Sequence, residues 1–150
     1  MRETMFMETT RIAPERTVNE IQQVLARYGA NAILLEYEAM AVSAVSFKYR
    51  VDGGPEIPFR LPCRWREVET ILRKSGKRPQ RDDTFEKWAR RVAWRIVFRW
   101  VEAQMAFVES RQVKVHEVFF AYIKTPTGQT LFEAQEKRGF ALEYKPEVPA

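Results

Sequence analysis

From Val18 onward the apolar positions recur at helical spacing, through Ile21, Val24, Leu25 and Tyr28. Thr17-Val18-Asn19-Glu20 reads as a capping box, and Gly29 stands where a left-handed residue closes a helix. The pattern then changes to a period of two. Ile33, Leu35 and Tyr37 alternate with Leu34, Glu36 and Glu38. Val45, Phe47, Tyr49 and Val51 alternate with Ser46, Lys48 and Arg50, and Ile57, Phe59 and Leu61 alternate with Pro58, Arg60 and Pro62. Asp52-Gly53-Gly54-Pro55 joins the last two as a hairpin. Ala39-Met40-Ala41 has no turn chemistry of its own, so the preceding boundary is weakly marked. The two prolines of the third strand point to a sheet edge, because proline cannot donate to a ladder.

Helical spacing returns with Trp65, Val68, Ile71 and Leu72, ending at Gly76. After the connector Lys77-Arg78-Pro79-Gln80-Arg81, Asp83 or Thr84 caps a long helix from Phe85 to about Ser110. A further helix is expected around Lys114–Lys124, and the capping box Thr130-Leu131-Phe132-Glu133 opens a short last one that stops at Gly139. Thr9–Ala13 reads as a short β-stretch ended by Pro14. The order is β-α-β-β-β-α followed by three helices, the first of them long. This is an α+β chain with a small antiparallel sheet, and the hairpin-linked strands exclude a doubly wound parallel sheet. Residues 1–8 read as a flexible leader, 9–140 as a single α+β domain and 141–150 as a C-terminal tail.

Composition narrows the classes. At 150 residues and 45% hydrophobic, the chain supports one core and is not broadly disordered. No apolar run approaches the ~18 residues that span a bilayer, and Met1–Thr10 lacks the apolar core of a secretory signal. A cytoplasmic protein with no membrane partner is the expectation. One cysteine and one histidine exclude a disulfide framework, a cysteine-rich zinc site and any two-histidine motif. No Gly-x-x-x-x-Gly-Lys-Ser/Thr, Gly-x-Gly-x-x-Gly or Gly-x-Ser-x-Gly occurs, so nothing points to a cofactor or to a serine elbow.

The net charge of +5 is unevenly placed: residues 60–99 carry 13 basic and 5 acidic side chains, while both flanks are slightly acidic. A polyanionic partner relieves such self-repulsion. On the long helix Lys87, Arg91, Arg95 and Arg99 recur every four residues and stack into a ridge, which Lys77, Arg78, Arg81 and Arg90 extend. With Trp94 and Phe98 nearby, this interleaving of cations and aromatics suits phosphates and bases of a single strand. The competing reading neutralises the arginines with internal carboxylates. The same helix is apolar on two sides. Phe85, Ala89, Val92, Ala93, Ile96, Trp100, Ala103 and Phe107 form the expected core face, and Trp94, Phe98 and Met105 lie opposite, either because the helix is sandwiched between the sheet and the C-terminal helices or because they form a homodimer contact. Lys48, Arg50 and Arg60 offer a second basic surface on the sheet if that face is open.

Catalytic patterns are thin. Cys63 and His116 could meet in space but carry no supporting signature, and each has a simple packing or capping role open to it. Glu36 and Glu38, with Lys48 across the sheet, have the minimum inventory of a metal-dependent nuclease, and equally that of a cross-strand salt bridge. No catalytic residue and no metal ligand is assigned.

Ile57-Pro58-Phe59-Arg60-Leu61-Pro62, Trp94-Arg95-Ile96-Val97, Trp100-Val101-Glu102-Ala103-Gln104, Glu117-Val118-Phe119, Tyr122 and Pro126-Thr127-Gly128-Gln129-Thr130-Leu131 together resemble a group of small uncharacterised proteins encoded by bacteriophages and other mobile elements. The likeness runs from about Thr9 to Phe140. It implies a bacterial cytoplasm and a role in handling nucleic acid or binding a host protein, and it carries over no catalytic residue. The leading expectation is a non-enzymatic nucleic-acid-binding protein, DNA or RNA, using Lys77, Arg78, Arg81, Lys87, Arg90, Arg91 and Arg95, with Trp94 or Phe98 stacking on bases if exposed. On that reading, replacing Arg91 and Arg95 with Ala weakens binding without unfolding the domain. The alternative is a protein-binding module, an inhibitor or adaptor acting on a host factor.

Overall fold

The computed structural model describes residues 4–141, and the predicted tail beyond 141 lies outside them. The elements run α1 (Pro14–Arg27), β1 (Ala30–Glu38), β2 (Ala41–Arg50), β3 (Glu56–Pro62), α2 (Trp65–Lys74), α3 (Phe85–Glu109), α4 (Val115–Val118), a 3₁₀ turn (Phe120–Tyr122) and α5 (Leu131–Lys137). The strands form one antiparallel sheet in the order β1-β2-β3. This is the expected α+β architecture with its long helix.

Three local expectations need correction. No strand forms at 9–13; residues 5–10 make two turns, closed by the Glu8 and Thr10 amides. α1 starts at Pro14 rather than behind Thr17, because proline at the first helical position brings the φ a helix needs and gives up an amide that would be unbonded anyway. Thr17 therefore lies inside the helix and is buried. The helix expected over 114–124 breaks after one turn, since Ile123 and Lys124 are drawn to the sheet. Phe59 and Ile123 form an antiparallel bridge, and the Lys124 amide donates to the Pro58 carbonyl at 2.8 Å.

The sheet turns its inner face to the helices. Register pairs Ile33, Phe47 and Phe59 in one row and Leu35, Val45 and Leu61 in the next. Phe47 and Phe59 stack with centroids 5.0 Å apart, Phe119 meets both edge-on, and Trp100 meets Phe119 at 5.3 Å. α3 packs against both α1 and α2. Its buried set is Ala89, Val92, Ala93, Trp94, Arg95, Phe98, Val101 and Met105. The expected division of faces is thus partly reversed. Trp94, Phe98 and Met105 are 1%, 6% and 2% exposed, whereas Ala103 and Phe107 are exposed. The proposed homodimer contact through Trp94, Phe98 and Met105 is interior.

The weakly marked β1–β2 boundary is a two-residue turn. Glu38 pairs with Ala41, and Ala39 and Met40 both have positive φ, +49° and +68°. A tight hairpin with the twist of its strands demands this, and neither residue adopts it without strain. Replacing Ala39 with Asn and Met40 with Gly supplies residues that accept it. The expected outcome is a gain of about 1 kcal/mol, read as a higher midpoint in denaturant with an unchanged slope.

Candidate functional site

The four-residue ridge exists as a helical row, but its arginines are already held. Arg91 makes a two-pronged contact with Asp83, Nη1 to Oδ1 at 3.2 Å and Nη2 to Oδ2 at 2.6 Å. Arg95 reaches across to α1, where Nη1 donates to Glu20 Oε2 at 2.5 Å, and Arg16 shares that carboxylate at 3.4 Å. Arg90 binds Glu86 and lies over the Trp65 ring at 4.1 Å. Arg99 contacts Glu102 at 2.9 Å on an exposed stretch. Arg95 also stacks on Phe98, 4.5 Å from its centroid, so that aromatic already has a cation inside the protein. With Trp94 and Phe98 buried, neither presents a face to a base, and the condition for stacking is not met.

The N-terminal segment helps to neutralise the connector. Glu8, itself buried, accepts from Lys77 Nζ at 2.5 Å, and its carbonyl accepts from the Trp88 indole N–H at 2.9 Å. This anchor brings Arg11 to the connector. Arg11, Lys77, Arg78 and Arg91 share the wall of a hollow of about 200 Å³ with Glu8, Asp83 and Trp88. A second hollow of about 580 Å³ shares Lys77 and Arg78 with the first and is lined also by Arg73 and Phe85. Arg78, Arg81 and Lys87 are exposed and, like Arg11, make no ion pair among the described residues. Thr84 caps α3, its hydroxyl accepting from the Lys87 amide, which sets Lys87 in the first turn beside the connector.

The structure therefore divides the expected site residues. Arg78, Arg81 and Lys87 stand open to solvent at one pole. Lys77 borders that pole but is tied to Glu8. Arg90, Arg91 and Arg95 are half-buried or buried and paired. Trp94 and Phe98 belong to the core. Arg11 is the addition that sequence reasoning missed. It lies far from the connector along the chain, and only the Glu8 anchor brings them together.

The other chemistry is accounted for locally. Arg60 binds Glu36 at 2.8 Å and approaches Glu133 at 3.7 Å, while Arg66 binds Glu38 at 2.6 Å. Hydrogen bonding and charge from Arg66 hold the Glu38 carboxyl below its usual range. The two glutamates of the nuclease reading are thus each engaged by a different arginine. No group of three or more His, Cys, Asp or Glu side chains that could hold a metal ion occurs among the described residues. The second basic surface shrinks as well, since Arg60 is paired and Arg50 lies 3.8 Å from Glu56, leaving Lys48. Burial pushes the Cys63 thiol up to about 12, so it is not a thiolate nucleophile at neutral pH. His116 lies on α4 beside a separate hollow that does not include Cys63.

Compared with family models, curated proteins and solved structures, the chain matches none. No helix among the described residues is long and apolar enough to cross a membrane.

The pairing has consequences for stability. Replacing Arg95 with Ala leaves Glu20 facing the core edge with only Arg16, and is expected to cost about 2 kcal/mol in denaturant unfolding. Replacing Arg99 with Ala breaks an exposed pair and should cost about 0.5 kcal/mol or less. Equal, negligible costs would contradict an internal role for Arg95. The pH dependence has a defined sign. The hydrogen bonds from Arg91 hold the Asp83 carboxyl below its usual range against the opposing effect of burial, helped by the Thr84 amide and the charge of Arg11. A carboxyl depressed in the folded state stabilises fully above its unfolded value, about 3.9, and that stabilisation disappears as pH falls through the lower folded value. Acid titration of unfolding free energy should therefore fall less steeply below about pH 4 in an Asp83→Asn variant, which starts less stable at pH 7.

Proposed function

We propose that the protein is a non-enzymatic nucleic-acid-binding protein of a phage or mobile element, working in a bacterial cytoplasm and holding the phosphate backbone at its connector pole. The supporting observation is the contrast between two sets of cations. The arginines along α3 have acidic partners within the chain, whereas Arg11, Arg78, Arg81 and Lys87 have none among the described residues; Arg11 and Arg78 line one hollow where the α2–α3 connector meets the N-terminal segment, and Arg81 and Lys87 lie on that connector and the first turn of α3. Arginine forks in this setting suit phosphate oxygens. With Trp94 and Phe98 interior, the reading is one of backbone contact without base stacking, hence with little sequence preference. The alternative, a module that binds a host protein, draws support from the internal pairing of Arg91 and Arg95, which reduces the charge available to phosphate.

Fluorescence anisotropy against labelled single-stranded DNA, duplex DNA and RNA across a salt series separates the two. Up to four phosphate contacts give a log-log salt slope of roughly −3 to −4. An Arg78→Ala, Arg81→Ala double variant should bind more weakly and lose roughly 2 units of slope, with unchanged unfolding. Absence of binding to all three at low salt would overturn the nucleic-acid reading and leave the host-protein module.

A further inference from the structure

The two edges of the sheet are treated differently. β3 carries Pro58 and Pro62, and its outer side is strapped by the Phe59–Ile123 bridge and the Lys124 amide. β1 carries neither proline nor a basic residue, and among the described residues nothing pairs with its outer side. Leu34 is 56% exposed and Tyr37 64%, and Met40 follows at the turn. Natural sheets normally blunt such an edge with lysine, proline or a covering segment. Bulges are another device, but here both spare the middle of β1. One extra residue, Asn31, lies at the start of β1, and the other, Ser43, belongs to β2. Ala32–Glu36 runs in unbroken register with β2.

We propose that β1 pairs antiparallel with β1 of a second copy of this chain about a two-fold axis at Leu34, joining two three-stranded sheets into one of six strands. This inference does not depend on the nucleic-acid reading. The sequence of the free run selects the occupant and the register. Centred on Leu34, the pairing sets Leu34 against Leu34, Ile33 against Leu35 and Ala32 against Glu36. Residues directly opposite share a face, so Ile33 and Leu35, half-buried on the inner side, continue the core row of each copy into the other. No acid faces an acid. A parallel pair in register would set Glu36 on Glu36 and Glu38 on Glu38, and an antiparallel pair centred two residues later, on Glu36, would set Glu36 on Glu36 and the apolar Leu34 against Glu38. Glu36 and Glu38 already have arginine partners in their own chain, so pairing does not bring bare carboxylates together. A two-fold interface needs one self-complementary patch, and this run is one. The contact is one strand wide, which places it at the small, weak end of protein interfaces.

Sedimentation equilibrium and light scattering over roughly 1–500 μM, a span that brackets weak interfaces, should show a monomer–dimer equilibrium. Leu34→Lys sets two cations face to face on the axis at a position exposed in the monomer. It should weaken the dimer at least tenfold while circular dichroism and unfolding stay unchanged. Leu34→Cys should cross-link two chains under mild oxidation, whereas Met40→Cys, more accessible still but far from the axis, should not; buried Cys63 does not compete. Amide exchange should show alternate β1 amides gaining protection as concentration rises. A monomer throughout the range overturns the proposal, leaving the edge to a strand of another protein. A dimer indifferent to Leu34→Lys also overturns it, by placing self-association on another surface.

Discussion

Burying an arginine-bearing helix requires that each buried guanidinium find a carboxylate, and the arrangement of this fold around α3 follows that constraint. α3 lies against both α1 and α2 and keeps Arg95 among its buried residues. An unpaired charge there would be prohibitive, so Glu20 on α1 must face it, which fixes how α1 sits along α3. Asp83 does the same for Arg91 from the connector, and Glu8 for Lys77 from the N-terminal segment. Three separate parts of the chain are thereby tied to the central helix and its approach by charge as well as by apolar packing. Such pairs add little net stability over a hydrophobic equivalent, but misplacing one partner is costly, so they act on specificity of arrangement more than on depth of the energy well.

Legibility in the sequence followed the strength of local signals. Thr130 and Glu133 form the reciprocal cap that their spacing announces, and Thr84 caps α3 where a short polar residue precedes the apolar run. The Thr17 box has the same spelling and fails, because Pro14 three residues earlier is a stronger start signal and carries Thr17 into the helix. The phase of α3 was illegible for a different reason. Apolar residues occupy both faces, so periodicity alone cannot say which is buried more deeply, and the deciding fact, that Arg95 has Glu20 opposite it, is a tertiary one. The Ala39-Met40 turn has no glycine or asparagine to mark it; the pairing of the strands imposes its positive φ angles. The last strap onto β3 also arises from a long-range bond, Lys124 to Pro58, and interrupts a helix that local spacing favours.

The candidate site shows the same limit from the other side. A count of basic residues along α3 measures formal charge, whereas a partner responds to charge left after internal pairing. That remainder moves the candidate site from the middle of α3 to its N-terminal end and the connector. It admits Arg11, which belongs to the pole only because Glu8 is buried against Lys77 and Trp88. The acidic residues of the flanks include counterions of the basic middle: Glu8 for Lys77, Glu20 for Arg95 and Glu36 for Arg60.

These two populations of cations respond differently to salt. Arg95 with Glu20 and Arg91 with Asp83 sit mostly away from solvent, so mobile ions screen them weakly. Arg78, Arg81 and Lys87 stand in water, where a Debye length of about 8 Å at physiological ionic strength damps their field within a side chain or two. Raising salt therefore acts on the outer set while leaving the inner set, and with it the fold, nearly untouched. A fold whose structural charges were also exposed would lose stability and affinity together, and a salt series could not tell weaker binding from partial unfolding. Here the burial of the inner pairs keeps the two responses apart. The electrostatics of the connector pole can thus be examined on an intact protein.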